Sequence, residues 1–148
     1  MDDAPLLLAC PHCHSLNRLP GSRLAQHPQC GRCHQPLFGG KPVALSGADF
    51  DRHALRSELP LLVDFWAPWC APCLSMAPQF EAAAKTLEPR LRLAKVDTEA
   101  EPALGARFNI RSIPTMILLR SGREIARQSG AMGSAQIVQW VQSQMPAA

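Results

Sequence analysis

The sequence predicts an α/β domain with a small four-cysteine module in front of it, and three observations carry that prediction. The six cysteines fall into three Cys-x-x-Cys pairs, Cys10/Cys13, Cys30/Cys33 and Cys70/Cys73, a spacing that favours metal or redox chemistry over a disulfide framework. From Val43 onward, apolar runs of strand length alternate with amphipathic stretches of helix length, which is the texture of an α/β chain. Residues 1–38 hold four of the cysteines and four of the five histidines but no valine, isoleucine or tryptophan, so something other than a core must hold them. Phe38-Gly39-Gly40-Lys41-Pro42 reads as the join, since paired glycines and proline punctuate regular structure. The expected division is therefore 1–38, the cysteine module, and 39–148, the α/β domain.

A chain of 148 residues, 47% of them hydrophobic, buries one ordinary core and a small appendage, not two full domains. With 18% charged residues and a net charge of +3, neither disorder nor strong attraction to nucleic acid or membrane is indicated. Leu7-Leu8-Ala9-Cys10 mimics the end of a lipoprotein signal, but Asp2 and Asp3 open the chain and Pro5 interrupts the short apolar run Ala4 to Ala9, against the basic start and longer apolar stretch of a signal. No run approaches the roughly twenty apolar residues of a membrane span. The expected location is the cytosol.

Each element of the larger domain has its own signal. Val43-Ala44-Leu45 suits a short edge strand, and Ser46 or Asp49 is placed to cap a helix reaching Ser57. Leu61-Leu62-Val63-Asp64-Phe65-Trp66 is an apolar run with one acid inside it, as in a strand buried on both faces. An alanine-rich helix follows from Ala71 to Leu87, with Pro78 expected to bend it. Leu91 to Val96 reads as the next strand, and Glu99 to Arg107 as a short helix with Pro102 in its first turn. Thr115 to Leu119 and Glu124 to Gln128 form a hairpin across Ser121-Gly122. Ser134 is expected to cap a final helix with Ile137, Val138, Trp140, Val141 and Met145 on its apolar face.

Sixteen residues separate Cys13 from Cys30, inside the range for zinc held by two knuckles. Four thiolates, Cys10, Cys13, Cys30 and Cys33, complete a tetrahedron at about 2.3 Å. The expected cofactor is one structural zinc ion, with no organic cofactor. His12, His14, His27 and His34 then read as solvated bystanders. Pro11 and Gly31 suit tight turns. A nucleic-acid role is disfavoured: residues 1–38 balance three arginines against two aspartates, with Phe38 as their one aromatic residue, too little for phosphate neutralisation or base stacking.

The third pair stands in Trp66-Ala67-Pro68-Trp69-Cys70-Ala71-Pro72-Cys73, after a buried strand and at the start of a helix. A thiolate there is stabilised by free backbone N–H groups and the helix dipole. Cys70 is expected to be the more exposed, nucleophilic sulfur and Cys73, a turn further in, the shielded partner.

At these residues the chain resembles the thioredoxin family over about residues 43–148. The family motif Trp-Cys-Gly-Pro-Cys stands here as Trp69-Cys70-Ala71-Pro72-Cys73. Asp64 matches the buried aspartate, Lys95 its partner lysine, Pro78 the helix proline, Ile113-Pro114 the cis-proline dipeptide, and Gly122 and Gly130 the later turn glycines. With the four-cysteine extension, the whole resembles the zinc-bearing bacterial branch of the family. Two residues depart: Ala71 replaces the usual glycine, and Leu74 stands where many members carry lysine, making the surface beside the site less basic.

The resemblance implies a central mixed sheet flanked by helices, and a protein-disulfide reductase working by thiol-disulfide exchange. Asp64, whose pKa burial raises, is the candidate base for Cys73; Lys95 either pairs with it or is an ordinary exposed lysine. Trp69, Ala71, Pro72, Ile113, Pro114 and Gly130 are expected to border the substrate groove, whose backbone edge pairs with an extended target. Implied partners are an NADPH-dependent thioredoxin reductase and disulfide-containing target proteins, with the chain a monomer. An adaptor built on the metal module and an oxidase or isomerase are the rival readings.

Overall fold

The structure is a computed structural model and describes residues 4–145; Asp2 and Asp3, used above against a signal segment, lie outside the described residues. Five strands form the central sheet: β3 (Val43–Ala44), β4 (Leu61–Trp66), β5 (Arg92–Asp97), β6 (Thr115–Arg120) and β7 (Arg123–Ser129), in the order β3-β5-β4-β6-β7. β3, β5 and β4 run parallel, β6 runs antiparallel to β4, and β7 antiparallel to β6. The sheet is mixed, as expected. β4 lies at its centre, which is why its sequence is almost continuously apolar.

Alternation along β4 feeds two cores. Leu61, Val63 and Phe65 face a cluster with Phe50, Ala54 and Leu104. Leu62 faces the other way, toward Met76, Phe80, Ile137 and Val141 of helices α1 (Ala71–Leu87) and α3 (Ser134–Gln144). Phe80 is wholly buried there, and its truncation to alanine costs about 3–5 kcal/mol. Asp64 shares the parity of Leu62, so it projects to the α1 side. The third helix, α2 (Pro102–Arg107), begins on Pro102 itself, where a missing N–H costs nothing.

Local chemistry departs from expectation in two places. The helix expected up to Ser57 is a short turn that widens into a π-helical segment, Arg52–Arg56, with Ser57 N–H donating to the Arg52 carbonyl at 2.9 Å. At its start, Asp49 Oδ1 accepts from Ser46 N–H at 2.8 Å, the carboxylate half of a capping arrangement. The last helix is capped at Gly133 rather than Ser134, with Gln136 Oε1 reaching back to Gly133 N–H at 3.0 Å.

The cysteine module contains regular structure that its composition hid. β1 (Pro5–Ala9) and β2 (Leu16–Pro20) pair antiparallel, Ala9 opposite Leu16. The apolar run that mimics a signal segment is thus the first strand of this hairpin. Leu8, Leu19 and Leu37 form a small core that is completed by Leu59 from outside the module. Two hydrogen bonds tie the edge of β1 to the chain just before β4: Leu7 N–H to Glu58 Oε1 at 2.6 Å and Glu58 N–H to the Leu7 carbonyl at 2.7 Å.

Candidate redox and metal sites

Cys70 is the N-cap of α1, and its Sγ accepts from Cys73 N–H at 3.2 Å. The chain reaches this position because β4 ends at Trp66 and Pro72 stands in the first turn of the helix, where its fixed φ suits helix initiation. Cys70 and Cys73 are joined in a disulfide across the two-residue gap. The pair packs with Ala67, Trp66 and Ile113. Both residues are buried in this oxidised pair, Cys70 at 5% and Cys73 at 1% exposure.

The Ile113–Pro114 peptide is cis, and the Ile113 carbonyl lies 3.8 Å from Cys70 Sγ. Gly130 N–H donates to the Pro114 carbonyl at 2.9 Å, at a φ of 97° that suits glycine. Trp69, 69% exposed, and Ile113 line one hollow beside the pair. Ala71 and Pro72 are exposed at the helix start. The structure therefore gathers Trp69, Ala71, Pro72, Ile113, Pro114 and Gly130 around the two sulfurs.

Asp64 is fully buried, and neither carboxyl oxygen has a hydrogen-bond partner among the described residues. Burial pushes its pKa up to about 7, against a smaller downward pull from Lys95. Lys95 stands opposite Asp64 in the β4–β5 register, but its ammonium lies 4.5 Å over the Trp66 ring. It acts on the carboxyl through space, without an ion pair, and the cation–π contact is what holds it.

The second site lies in the module. Cys10, Cys13, Cys30 and Cys33 place their four sulfurs within 4.8 Å of one another. Two of the separations, Cys10 to Cys33 and Cys13 to Cys30, are 3.6 Å, close to the roughly 3.8 Å edge of a tetrahedron built on 2.3 Å metal–sulfur bonds. His14 and His34, one residue past each knuckle, have φ of 63° and 65°, which turns the chain back across each pair. Burial works against ionisation of Cys30, yet the N–H groups of Cys33 and Arg32 and the Asn17 amide bring its thiol down to about 6. Burial alone dominates at Cys10 and pushes it up to about 12. The donor set fits a thiolate-binding metal ion, whose charge would hold all four thiolates ionised.

Sequence reasoning passed over two groups that dock the module. Arg92 is 2% exposed; its guanidinium donates to the carbonyls of Leu37 at 2.7 Å and Ala9 at 3.0 Å and stands 3.5 Å from Glu88 Oε2. Phe38 lies under it, 4.6 Å from ring centroid to guanidinium carbon. Glu88 in turn accepts from Gly40 N–H at 2.8 Å. The available signal was an arginine between Leu91 and Leu93, as anomalous in an apolar strand as Asp64. His14 is the other: its Nδ1 lies 2.9 Å from His53 Nε2 and its Nε2 3.2 Å from Asp49 Oδ2, so it is a bridge to the larger domain and not a solvated bystander.

Comparison with known proteins gives two adjoining matches. Residues 41–143 match the family model described as Thioredoxin, and residues 9–35 the one described as Thioredoxin 2, N-terminal. The chain is 44% identical over 140 residues to Thioredoxin C-3 of Corynebacterium nephridii, covering 95% of this chain and 96% of that protein. It is 37% identical over 107 residues to the bifunctional thioredoxin reductase/thioredoxin of Mycobacterium leprae, covering 72% of this chain but 23% of the relative. Among solved structures, chloroplastic thioredoxin z superposes with a TM-score of 0.65 at 27% identity, over 72% of this chain and 96% of its own.

Proposed function

This chain belongs to the thioredoxin family and is a protein-disulfide oxidoreductase, and from that premise we propose how its residues divide the work. Cys70 thiolate attacks one sulfur of a target disulfide; the target's S–S bond breaks, a Cys70–target mixed disulfide forms, and the other target sulfur leaves as a thiolate. Cys73 thiolate then attacks Cys70 Sγ, so the chain is left with the Cys70–Cys73 disulfide and the target with two reduced sulfurs. Two electrons pass from the chain to the target. The observation that carries this reading is Cys70 at the N-cap of α1 with Cys73 N–H aimed at its sulfur, an arrangement that favours a thiolate over a thiol.

Asp64 is assigned the proton of Cys73. Its position on the α1 side of β4 and a pKa held near 7 suit a group that takes a proton at neutral pH and returns it. Lys95 tunes that carboxyl from a distance. Trp69, Ala71, Pro72, Ile113, Pro114 and Gly130 form the target groove, supported by their gathering around the sulfurs.

For the module we propose that the ion is a single zinc, held by Cys10, Cys13, Cys30 and Cys33 as a closed four-thiolate shell with no open position for catalysis. Its chemistry is structural. The units are 1–38 and 39–148, consistent with the two adjoining family matches. Among the described residues no helix is long and apolar enough to cross a membrane; the cytoplasm, where thiols stay reduced, is the compartment that suits four free cysteines. Reduction by an NADPH-dependent thioredoxin reductase, and action as a monomer, complete the proposal.

The test is acceleration of protein-disulfide reduction by dithiothreitol. The native chain accelerates it and Cys70→Ser does not, while Cys73→Ser accumulates mixed disulfides with the target. Recovery of no mixed disulfide from Cys73→Ser would overturn the assigned roles.

A further inference from the structure

All fifteen basic and twelve acidic residues of the chain lie outside two stretches, Phe65 to Phe80 and Gln128 to the end. The fold brings those stretches together beside Cys70. The first contains the active-site turn and the first half of α1; the second contains Gly130 and the whole of α3, which packs on α1. Gln79 Oε1 accepts from Ser134 N–H at 3.0 Å and Gly130 N–H binds the Pro114 carbonyl, so the two stretches join at the catalytic end. The hollow between the helices, about 380 Å³ and lined by Thr86, Ser134, Ala135, Val138 and Gln139, holds no charge either. The first charged residue on α1 is Glu81, and it lies 3.9 Å from Lys85 as an i,i+4 pair.

Leu74 is the exposed apolar side chain of the first turn of α1, inside the charge-free stretch. It lies four residues beyond Cys70, one helical turn away on the same side, with its N–H donating to the Cys70 carbonyl at 3.1 Å. It is 52% exposed, and Trp69 flanks Cys70 on the other side at 69%. An exposed leucine and tryptophan bracketing a reactive sulfur, in a stretch of chain without charge, select a partner by desolvation more than by electrostatic steering. Across the groove, Arg111 is the one charged side chain lining the hollow that Trp69 and Ile113 share.

We propose that Leu74 is a specificity-determining residue: the surface at the first turn of α1 receives the target chain next to the attacked cysteine, and it prefers an apolar, uncharged segment there. The proposal rests on Cys70 being the attacking thiolate. The experiment uses the full reduced, metal-loaded chain and three disulfide-bonded peptides that differ only in the residue after the attacked cysteine, Leu, Glu or Lys. Single-turnover rates are followed by tryptophan fluorescence. The expected result is reduction of the Leu peptide about fivefold faster than either charged one, the advantage of burying part of a leucine. That ratio holds from about 0.01 to 1 M salt, over which the screening length falls from about 30 to 3 Å. Leu74→Lys makes the Glu peptide fastest at low salt and removes that advantage at high salt. Leu55→Ala, a truncation at an equally exposed leucine away from the site, changes none of the ratios.

Equal wild-type rates for the three peptides, or an unchanged ranking in Leu74→Lys, would overturn the proposal while leaving Cys70 as nucleophile; no reduction of any peptide would instead overturn the role of Cys70. A dimer of the reduced chain in sedimentation, dissolved by Leu74→Lys, would assign the face to a second copy and also overturn it.

Discussion

Two sulfur sites in this chain share one spacing, Cys-x-x-Cys, and differ in everything the backbone does around it. In the module each pair closes a knuckle that turns back on itself at His14 or His34, and two knuckles facing each other bring four sulfurs within reach of one ion. At Cys70 the chain runs on into a seventeen-residue helix, so each sulfur of the pair has the other as its sulfur partner. Both sites stabilise negative sulfur with backbone N–H groups: Arg32 and Cys33 toward Cys30, Cys73 toward Cys70. The difference lies in company. Four neighbouring thiolates require a cation, whereas two sulfurs at a helix end can pair and unpair. The sites also occupy opposite ends of the sheet, the module docking on Arg92 where β5 begins and Cys70 following Trp66 where β4 ends; six strand residues between them amount to about 20 Å.

The comparison breaks first at the cysteines. Cys70→Ser reduces disulfide reductase activity to the uncatalysed background and leaves the metal content at one ion per chain, measured by turnover and metal analysis on the same sample. Cys30→Ser, or removal of the ion by a strong chelator, does the reverse: the metal is lost, the module unfolds, and the alkylation rate of Cys70 is unchanged. Metal binding is worth about 10–16 kcal/mol in small zinc peptides, so no hairpin of two five-residue strands replaces it.

Next in size is the joint. Arg92→Met leaves Glu88 buried beside two abandoned carbonyls and destabilises the chain by about 3–5 kcal/mol in chemical denaturation, as for other broken buried pairs. Adding Glu88→Gln recovers part of that loss, because one uncompensated charge is removed.

The last effect, comparable in size but spread over about three pH units, is a pH dependence. Asp64 has a folded pKa raised by burial to about 7 from 3.8, so between those values the folded chain holds a proton that the unfolded chain has released. Its contribution to stability is complete below about pH 4 and is lost as pH rises through 7, in total about 4 kcal/mol. Asp64→Asn removes the slope: the oxidised variant is more stable than the parent at about pH 8 and indistinguishable from it at about pH 4. In the same variant resolution of the mixed disulfide slows, which a stability effect alone does not produce.

The larger domain was legible because each element carries its own signal. The acid in Leu61–Trp66, the prolines at 72 and 102 and the Ser121-Gly122 turn locate a buried strand, two helix starts and a hairpin without reference to the rest. The catalytic pair was equally local. The module was legible only through its ligands. Its hairpin pairs Leu6 with Leu19 and Leu8 with Asn17, and its core needs Leu59, so the strands have no meaning until the larger domain covers them. Arg92 and His14 belong to the same class: each looks like a surface residue until the partner carbonyls or His53, distant in sequence, arrive. The π-helical turn at Arg52–Arg56 adds one residue per turn for packing reasons that no local pattern records.

Reductase activity in this chain requires one sulfur to be ionised and reachable while four others are closed around an ion. Competitive alkylation of the reduced, metal-loaded chain, read cysteine by cysteine by mass spectrometry across pH, tests this directly. The predicted result is modification of Cys70 first, with a midpoint well below the roughly 8.5 of a free thiol, Cys73 later and the module's four cysteines protected until the metal is removed. A Cys70 that reacts no faster than free cysteine, or module cysteines that react alongside it in the loaded chain, would contradict it.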